Sequence, residues 1–426
     1  MNDKQRWYTL SSTANTFNGA NLNIVWDKEN TYWSKLASTS SYPYPKLNDS
    51  KYCNELGNLN KLDICQDLYW SADGTSLVAI NDDYGIRQYL IPESENCDNE
   101  SMLVPFTRTF SPRSIIASAL SPTYSLFNEN RSGNMLLISG RDVPLQSYQL
   151  DTDSTSCSKP SMTYNTLNDK IERYDIIFSM IFINSSQFIT GSVNNKISLY
   201  DVRRKEPVVS FDRFKREQSS SKRKSIISCF IDRANIDCNN RYPNIVYFGT
   251  YGREMGVVDK RMASQRRLLN FQHGNGVYQI LPSFNGHFLY ILHRSSNTID
   301  IVDVRKDNKV INQLRIPYKI GTQKMKGTLS ETNGLMLGTD YGSVINWQSD
   351  MIEFGGLASD GSIVKDYQQS VSECLTSFTG SRINIVQQCP QGNEYFAISY
   401  SPDKFSDSDK TSAVKSGISL LRASID

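Results

Sequence analysis

The chain has 426 residues, 38% of them hydrophobic and 21% charged, and its 46 basic and 44 acidic side chains leave a net charge of +2. These values fit a globular protein with a full core, exclude disorder throughout, and leave electrostatic recognition to local patches. No stretch approaches the roughly 20 apolar residues of a membrane helix, and the opening MNDKQRWYTL is charged where a secretory signal is apolar, so a soluble intracellular protein with no membrane partner is expected.

Residues 1–61 read as an N-terminal arm, mostly disordered, rich in Asn and Ser yet holding Trp7, Trp26 and Trp33. Two roles are open for it. Either NLNIVWD (21–27) supplies an outer strand that closes the last sheet, or the aromatics form a docking motif for a partner.

From residue 62 to 426 one unit recurs: an apolar run, then a tight turn leading into a short strand of alternating polarity. In chain order the pairs are ICQDLYW (64–70) with INDDYGIRQYL (80–90), SIIASAL (114–120) with SGRDVPLQSYQ (139–149), and IIFSMIFI (176–183) with GSVNNKISLYD (191–201). They continue with SIISCFI (225–231) and GTYGREMGVVD (249–259), GVYQILPSF (276–284) and HRSSNTIDIVD (293–303), and KMKGTLS (324–330) and GTDYGSVINWQ (338–348). INIVQQC (383–389) with the weaker KSGISLLRA (415–423) makes the seventh. The closest spacing, between Val258, Val302 and Trp347, matches the period of about 45 residues of propeller blades. The reading is all-β: a single seven-bladed WD-repeat β-propeller with a largely disordered N-terminal arm.

Local chemistry supports that reading. Asp83, Asp142 and Asn194 share one turn position in the first three units, where their side chains can accept backbone hydrogen bonds. The Trp-Asp signature itself is degenerate. Asp201, Asp259 and Asp303 keep the acid, and Trp347 keeps the indole. The segment 349–381 delays the last unit and reads as a surface loop.

Catalytic and metal-binding patterns are missing from the sequence. Eight cysteines are scattered without a Cys-x-x-Cys pair and read as reduced, buried thiols. The three histidines, His273, His287 and His293, have no carboxylate or cysteine at metal-ligand spacing. Neither a Gly-x-Ser-x-Gly elbow nor a phosphate-binding Gly-x-x-x-x-Gly-Lys loop occurs. No cofactor, metal or small-molecule substrate is expected, and a non-catalytic scaffold and a direct RNA binder remain as the two classes.

The stretches ICQDLYWSADGTSLVAINDDYGIRQYLIP (64–92), RDVPLQSYQLDT (141–152), KSIISCF (224–230) with FGTYGREMGVVDKR (248–261), and WQSDMIEFGG (347–356) carry a resemblance. They resemble the budding-yeast nuclear WD-repeat splicing factor family named for its synthetic interaction with trimethylguanosine synthase. More distantly the chain is similar to the telomerase Cajal body WD-repeat family, through its Ile-Ser-Cys strand and the Gly-rich turn after it. The resemblance covers most of 62–426. It implies a nuclear protein, a monomer within a larger assembly, whose partners are snRNP proteins, small nuclear RNA or both. The implied role is to help pre-mRNA splicing by stabilising the snRNP at the 5′ splice site, the alternative being chaperoning of small Cajal-body-type or telomerase RNPs.

Blade register, independently of any resemblance, locates a candidate partner face. Turns between second and third strands lie on one face with the connections between blades. Arg141, Arg253 and Arg294 fall in such turns. EPVVSFD (206–212) reads as the outer strand of the third unit, so the basic loop after it, with Arg213, Lys215, Arg216, Lys222, Arg223 and Lys224, emerges on the same face. Asp82, Asp83 and Asp340 make that face acidic near the seam. Arginine suits bidentate contacts to phosphate, and a Lys/Arg loop adds screened attraction.

Overall fold

The computed structural model of the chain describes residues 6–13, 64–92, 101–103, 105–111, 113–127, 133–150, 159–168, 171–211, 225–232, 244–262, 264–306, 309–318, 320–330, 332–357, 381–403 and 416–424. Their strands form a seven-bladed β-propeller, as predicted, with each blade built on an antiparallel sheet packed face to face on its neighbours, the seventh alone adding a short parallel strand among the described residues. The predicted apolar runs are the inner strands: Cys65–Trp70, Ile115–Leu120, Ile177–Phe182, Ile227–Phe230, Val277–Pro282, Thr328–Ser330 and Arg382–Cys389. The alternating runs are the third strands: Gly85–Leu90, Leu145–Gln149, Ile197–Asp201, Glu254–Asp259, Thr298–Asp303, Val344–Trp347 and Gly417–Ser424.

The core is a ring of layers between blades. Ile80 and Ile138 fill the layer between the first and second blades, Leu137 and Phe188 the next, and Leu68, Ile385 and Leu420 the layer between the seventh and first. Because both faces of each sheet are covered, second strands read as continuous apolar runs; Leu77, Val78, Ala79 and Ile80 are all fully buried. The acids retained from the Trp-Asp signature fasten the next turn. Asp201, Asp259 and Asp303 accept the backbone N–H of Arg203, Arg261 and Arg305 at 2.8, 3.0 and 2.9 Å.

The ring is closed by the start of the chain. Arg6–Ser12 pairs antiparallel with Gly417–Ser424 and completes the seventh blade, and Thr13 Oγ1 accepts the Ile418 N–H at 2.7 Å. Closure therefore falls to Arg6–Ser12 and not to 21–27, which lies outside the described residues together with Trp26 and Trp33. Trp7 carries the contact, buried 4.9 Å from Phe396 between ring centroids. This strand crosses the boundary expected at residue 62. Ser101–Met102 then adds a fifth strand, parallel to it.

Two further expectations are refined. The segment after Trp347 begins as one helical turn, Ser349–Glu353, whose Ile352 is buried in the core and whose Glu353 carboxylate accepts the Phe284 and Asn285 N–H groups at 2.9 and 3.1 Å. The surface loop expected over 349–381 is thus docked at its start. Cys65, Cys229 and Cys389 are free and buried; the other five cysteines fall outside the described residues.

One feature of the inner strands was not foreseen. Six of them carry a bulge at the same level, at Gln66, Ile116, Phe178, Ser228, Tyr278 and Asn384. A bulge adds a residue and re-aims its side chain. Doublets such as Ile115-Ile116 and Ile177-Phe178, which break the alternation, are its trace in the sequence.

Candidate partner face and channel mouth

Backbone bonds place the turns and the inter-blade connections on one face, as the register predicted. Ser111 N–H donates to Tyr84 O at 2.8 Å, Asn195 to Ser225 at 2.8 Å, Phe271 to Arg253 at 2.8 Å, and Ile383 to Thr339 at 2.9 Å. Each turn of the first six blades contains a left-handed residue: Tyr84, Asp142, Asn194, Arg253, Ser295 and Gly342. Asp83 accepts the Gly85 N–H at 2.8 Å as expected, and it also holds the buried Arg87. Asp142 and Asn194 occupy the left-handed position themselves.

The three turn arginines do not form one cluster. Arg141 is exposed on the second blade, beside the exposed Arg113, whose Cβ lies 3.4 Å from where a Cβ on Gly140 would sit. Arg253 is half-buried and its Nη1 approaches Gln272 O at 3.5 Å. Arg294 turns inward, its guanidinium 4.4 Å above the ring of Tyr251, a residue of the Arg253 turn. Arg253 and Arg294 are therefore neighbours, and Arg141 stands apart. Arg213, Lys215, Arg216, Lys222, Arg223 and Lys224 lie outside the described residues. Sequence reasoning missed Arg113 and the hairpin around Ile171 and Tyr174, which adds exposed Arg173 to this face among the acids Asp142 and Glu172.

Sequence reasoning also missed a charged cluster in the axial channel. Lys324 and Lys326, just ahead of the sixth blade's inner strand, both reach Asp67 on the first blade's inner strand, the former at 2.7 Å. The seventh blade stands between those two, so the pairs span the channel. Asp67 also accepts Ser118 Oγ at 3.1 Å, and Tyr69 OH donates to Ser118 O at 2.9 Å. Burial would raise the Asp67 pKa, but the charges and hydrogen bonds of Lys324 and Lys326 outweigh it and hold it at about 2. Burial also opposes the Lys326 charge, and the Asp67 carboxylate overcomes it to raise that lysine above its ordinary value. The trace in the sequence was KMK (324–326), two lysines flanking a buried Met325.

A third cluster lies under the fifth blade's turn. Asp300 Oδ2 is 2.9 Å from His293 Nε2 and 3.1 Å from His273 Nε2, while Gln313 Nε2 donates to Asp300 Oδ1 at 2.7 Å. His293 and Asp300 are fully buried. Burial lowers the His293 pKa, with His273 adding to the effect, against the opposing pull of Asp300. Among the described residues this is the group whose donor atoms, within 4.8 Å of one another, could hold a metal ion. As arranged, Asp300 hydrogen-bonds His293 and Gln313 within the blade, and His273 of the connection 271–276 stands beside them with no hydrogen bond to its Nε2. The histidines show no metal spacing along the chain, because folding rather than sequence proximity joins them to Asp300.

No family model matches the chain. It is 38% identical over 395 residues to Protein SWT21 of Zygosaccharomyces rouxii, covering 92% of each chain. To Protein SWT21 of Kluyveromyces lactis it is 36% identical over 430 residues, 97% of this chain and 99% of that one. The Saccharomyces cerevisiae protein of the same name (strain Lalvin EC1118) is 36% identical over 365 residues, 80% of this chain and 97% of its own.

Proposed function

The chain belongs to the SWT21 family, and from that premise we propose that it is a non-catalytic nuclear scaffold associated with spliceosomal snRNPs, helping pre-mRNA splicing by stabilising the snRNP at the 5′ splice site. The observation that supports this reading most is the turn face. It presents Arg113, Arg141, Arg173 and Arg253 at or near its surface on a rigid ring, and in the sequence the basic segment 213–224 follows the third blade's outer strand, Val209–Phe211. Arginine forks on fixed turns suit phosphate or carboxylate partners, and the small overall charge leaves the rest of the surface without such a bias. The partners are snRNP proteins, small nuclear RNA or both, with the chain a monomer inside the assembly.

Recovery of the tagged protein from cell extract, with sequencing of the bound RNA, tests this reading. Spliceosomal RNAs are expected. Telomerase or guide RNAs would replace the reading with the RNP-chaperone alternative. The combined change of Arg141, Arg253, Lys222 and Arg223 to Gln should weaken recovery; if recovery is untouched, this face is not the site.

A further inference from the structure

The register of the fifth blade brings His293 and Asp300 together. Ile291 pairs with Asp300 across the blade, so His293, two residues on, is the diagonal neighbour of Asp300 on the same face, and Asp300 pairs directly with Gln313 of the outer strand. His273 arrives from the connection 271–276. Gly274 makes that approach possible: its φ is +70°, and a Cβ there would lie 2.8 Å from the Cβ of His293. One carboxylate oxygen, Asp300 Oδ2, therefore faces two imidazole nitrogens, His293 Nε2 at 2.9 Å and His273 Nε2 at 3.1 Å. Gln313 Nε2 occupies the other carboxylate oxygen at 2.7 Å. A hydrogen bond accounts for His293. It does not account for His273, whose Nε2 is buried beside the carboxylate with no hydrogen bond.

Buried nitrogen and oxygen atoms in folded proteins find partners. Two atoms that ligate one ion point at the ion and not at each other, so a close approach without a hydrogen bond is what shared coordination produces. Ligand atoms about 2.1 Å from a common zinc ion stand about 2.9–3.4 Å apart at angles of about 90–110°. The separations of Asp300 Oδ2 from the two imidazoles, 2.9 and 3.1 Å, match that range. We propose that His273, His293 and Asp300 bind a zinc ion through the two Nε2 atoms and Asp300 Oδ2, with the remaining coordination position open on the solvent side of His273. All three ligand atoms lie within 4.8 Å of one another, so bringing the two nitrogens into range takes a shift of at most about 1.5 Å. His273, 34% exposed on the connection, is the member placed to make it, and its exposed edge is the way in. The site needs no cavity, because a bare cation fits between ligand atoms that exclude a water molecule or an organic anion. Two imidazoles and one carboxylate suit zinc, whereas magnesium and calcium take oxygen ligands. Gln313 fixes the carboxylate, as the outer partners of metal ligands do. The ion would tie the fifth blade to the connection that holds both arginine turns: Phe271 N–H donates to Arg253 O at 2.8 Å, Asn275 N–H to Arg294 O at 2.7 Å, and Arg294 N–H to Gly276 O at 2.9 Å. Zinc therefore stiffens the part of the face around Arg253 and Arg294, whichever partner that face takes, and the site stands independently of the splicing role.

The test is calorimetric titration of the full chain, stripped with a chelator and then freed of it, with Zn²⁺ and separately with Mg²⁺. Saturable Zn²⁺ binding is expected, weakened about a hundredfold by His273→Ala and about tenfold by Gln313→Leu, which removes only the outer partner of the carboxylate. His273→Ala deletes a ring nitrogen that makes no hydrogen bond and leaves the bonds of Asp300 to His293 and Gln313 in place. Its metal-free melting temperature should therefore match the wild type and separate loss of binding from loss of fold. Excess Zn²⁺ should raise the melting temperature of the wild type and not of this variant. Absence of saturable Zn²⁺ binding, equal affinity in wild type and His273→Ala, or tighter binding of Mg²⁺ than of Zn²⁺ overturns the site.

Discussion

Asp67 shows how one residue ties distant blades together. Its pKa, held at about 2 against an ordinary 3.8, lies below the unfolded value. Its ion pairs therefore stabilise the fold fully above the unfolded pKa, and that stabilisation drains away as pH falls through the folded one. A shift of this size corresponds to about 2 kcal/mol. Asp67→Asn should lower the melting temperature near neutral pH, and the gap to wild type should shrink between about pH 5 and pH 2. A gap independent of pH would mean that Asp67 does not stabilise as an ion. Arg253 makes a different point at the same scale. Its φ of 66° lies in the left-handed region, which costs a side-chain-bearing residue about 1 kcal/mol and glycine almost nothing. Arg253→Gly should therefore melt no lower than wild type while removing the charge. Arg253→Ala would keep the strain and confuse the two effects.

Among the elements, the closing strand matters most to stability. Arg6–Ser12 covers Gly417–Ser424, which would otherwise be a long apolar edge open to pairing with other chains. Trp7→Ala should cost about 3–5 kcal/mol, the range for truncating a buried aromatic. Removing residues 1–13 should lower the melting temperature further and bring concentration-dependent association on gel filtration. If the truncated chain melts like wild type and stays monomeric, the strand does not close the ring. The sequence could have shown this element only faintly. RWYTLSS offers one Trp and one Leu in a polar arm, and its value comes from a partner strand at the other end of the chain. By contrast the inner and third strands were legible, because alternation, turn residues and apolar runs are local consequences of burying two sheet faces.

For the whole molecule, the core is a closed series of layers, so a break at one place is felt along the ring in order. The layer across the third, fourth and fifth blades is the most continuous, joining Ile189, Phe211, Val246, Phe248 and Ile291 in one cluster. The seam layers holding Trp7 and Leu10 depend on the closing strand. Hydrogen exchange on the chain lacking residues 1–13 should show protection lost first in Arg382–Cys389 and Cys65–Trp70 and last in Ile245–Thr250 and Phe288–His293. Uniform loss would mean that the ring opens as a single unit.

Blade number, blade register and the face that carries Arg141, Arg253 and Arg294 were determined by the sequence alone, since each follows from patterns within a few tens of residues. Which of those arginines share a site was decided only by the tertiary structure. So were the pairing of Asp67 with Lys324 and Lys326, the grouping of His273, His293 and Asp300, and the closure by Arg6–Ser12. The reason is physical. Alternation and turn chemistry are short-range consequences of backbone geometry, whereas these contacts join residues far apart in the chain or on different strands, some on different blades, whose positions are set by how the sheets pair and pack around the axis.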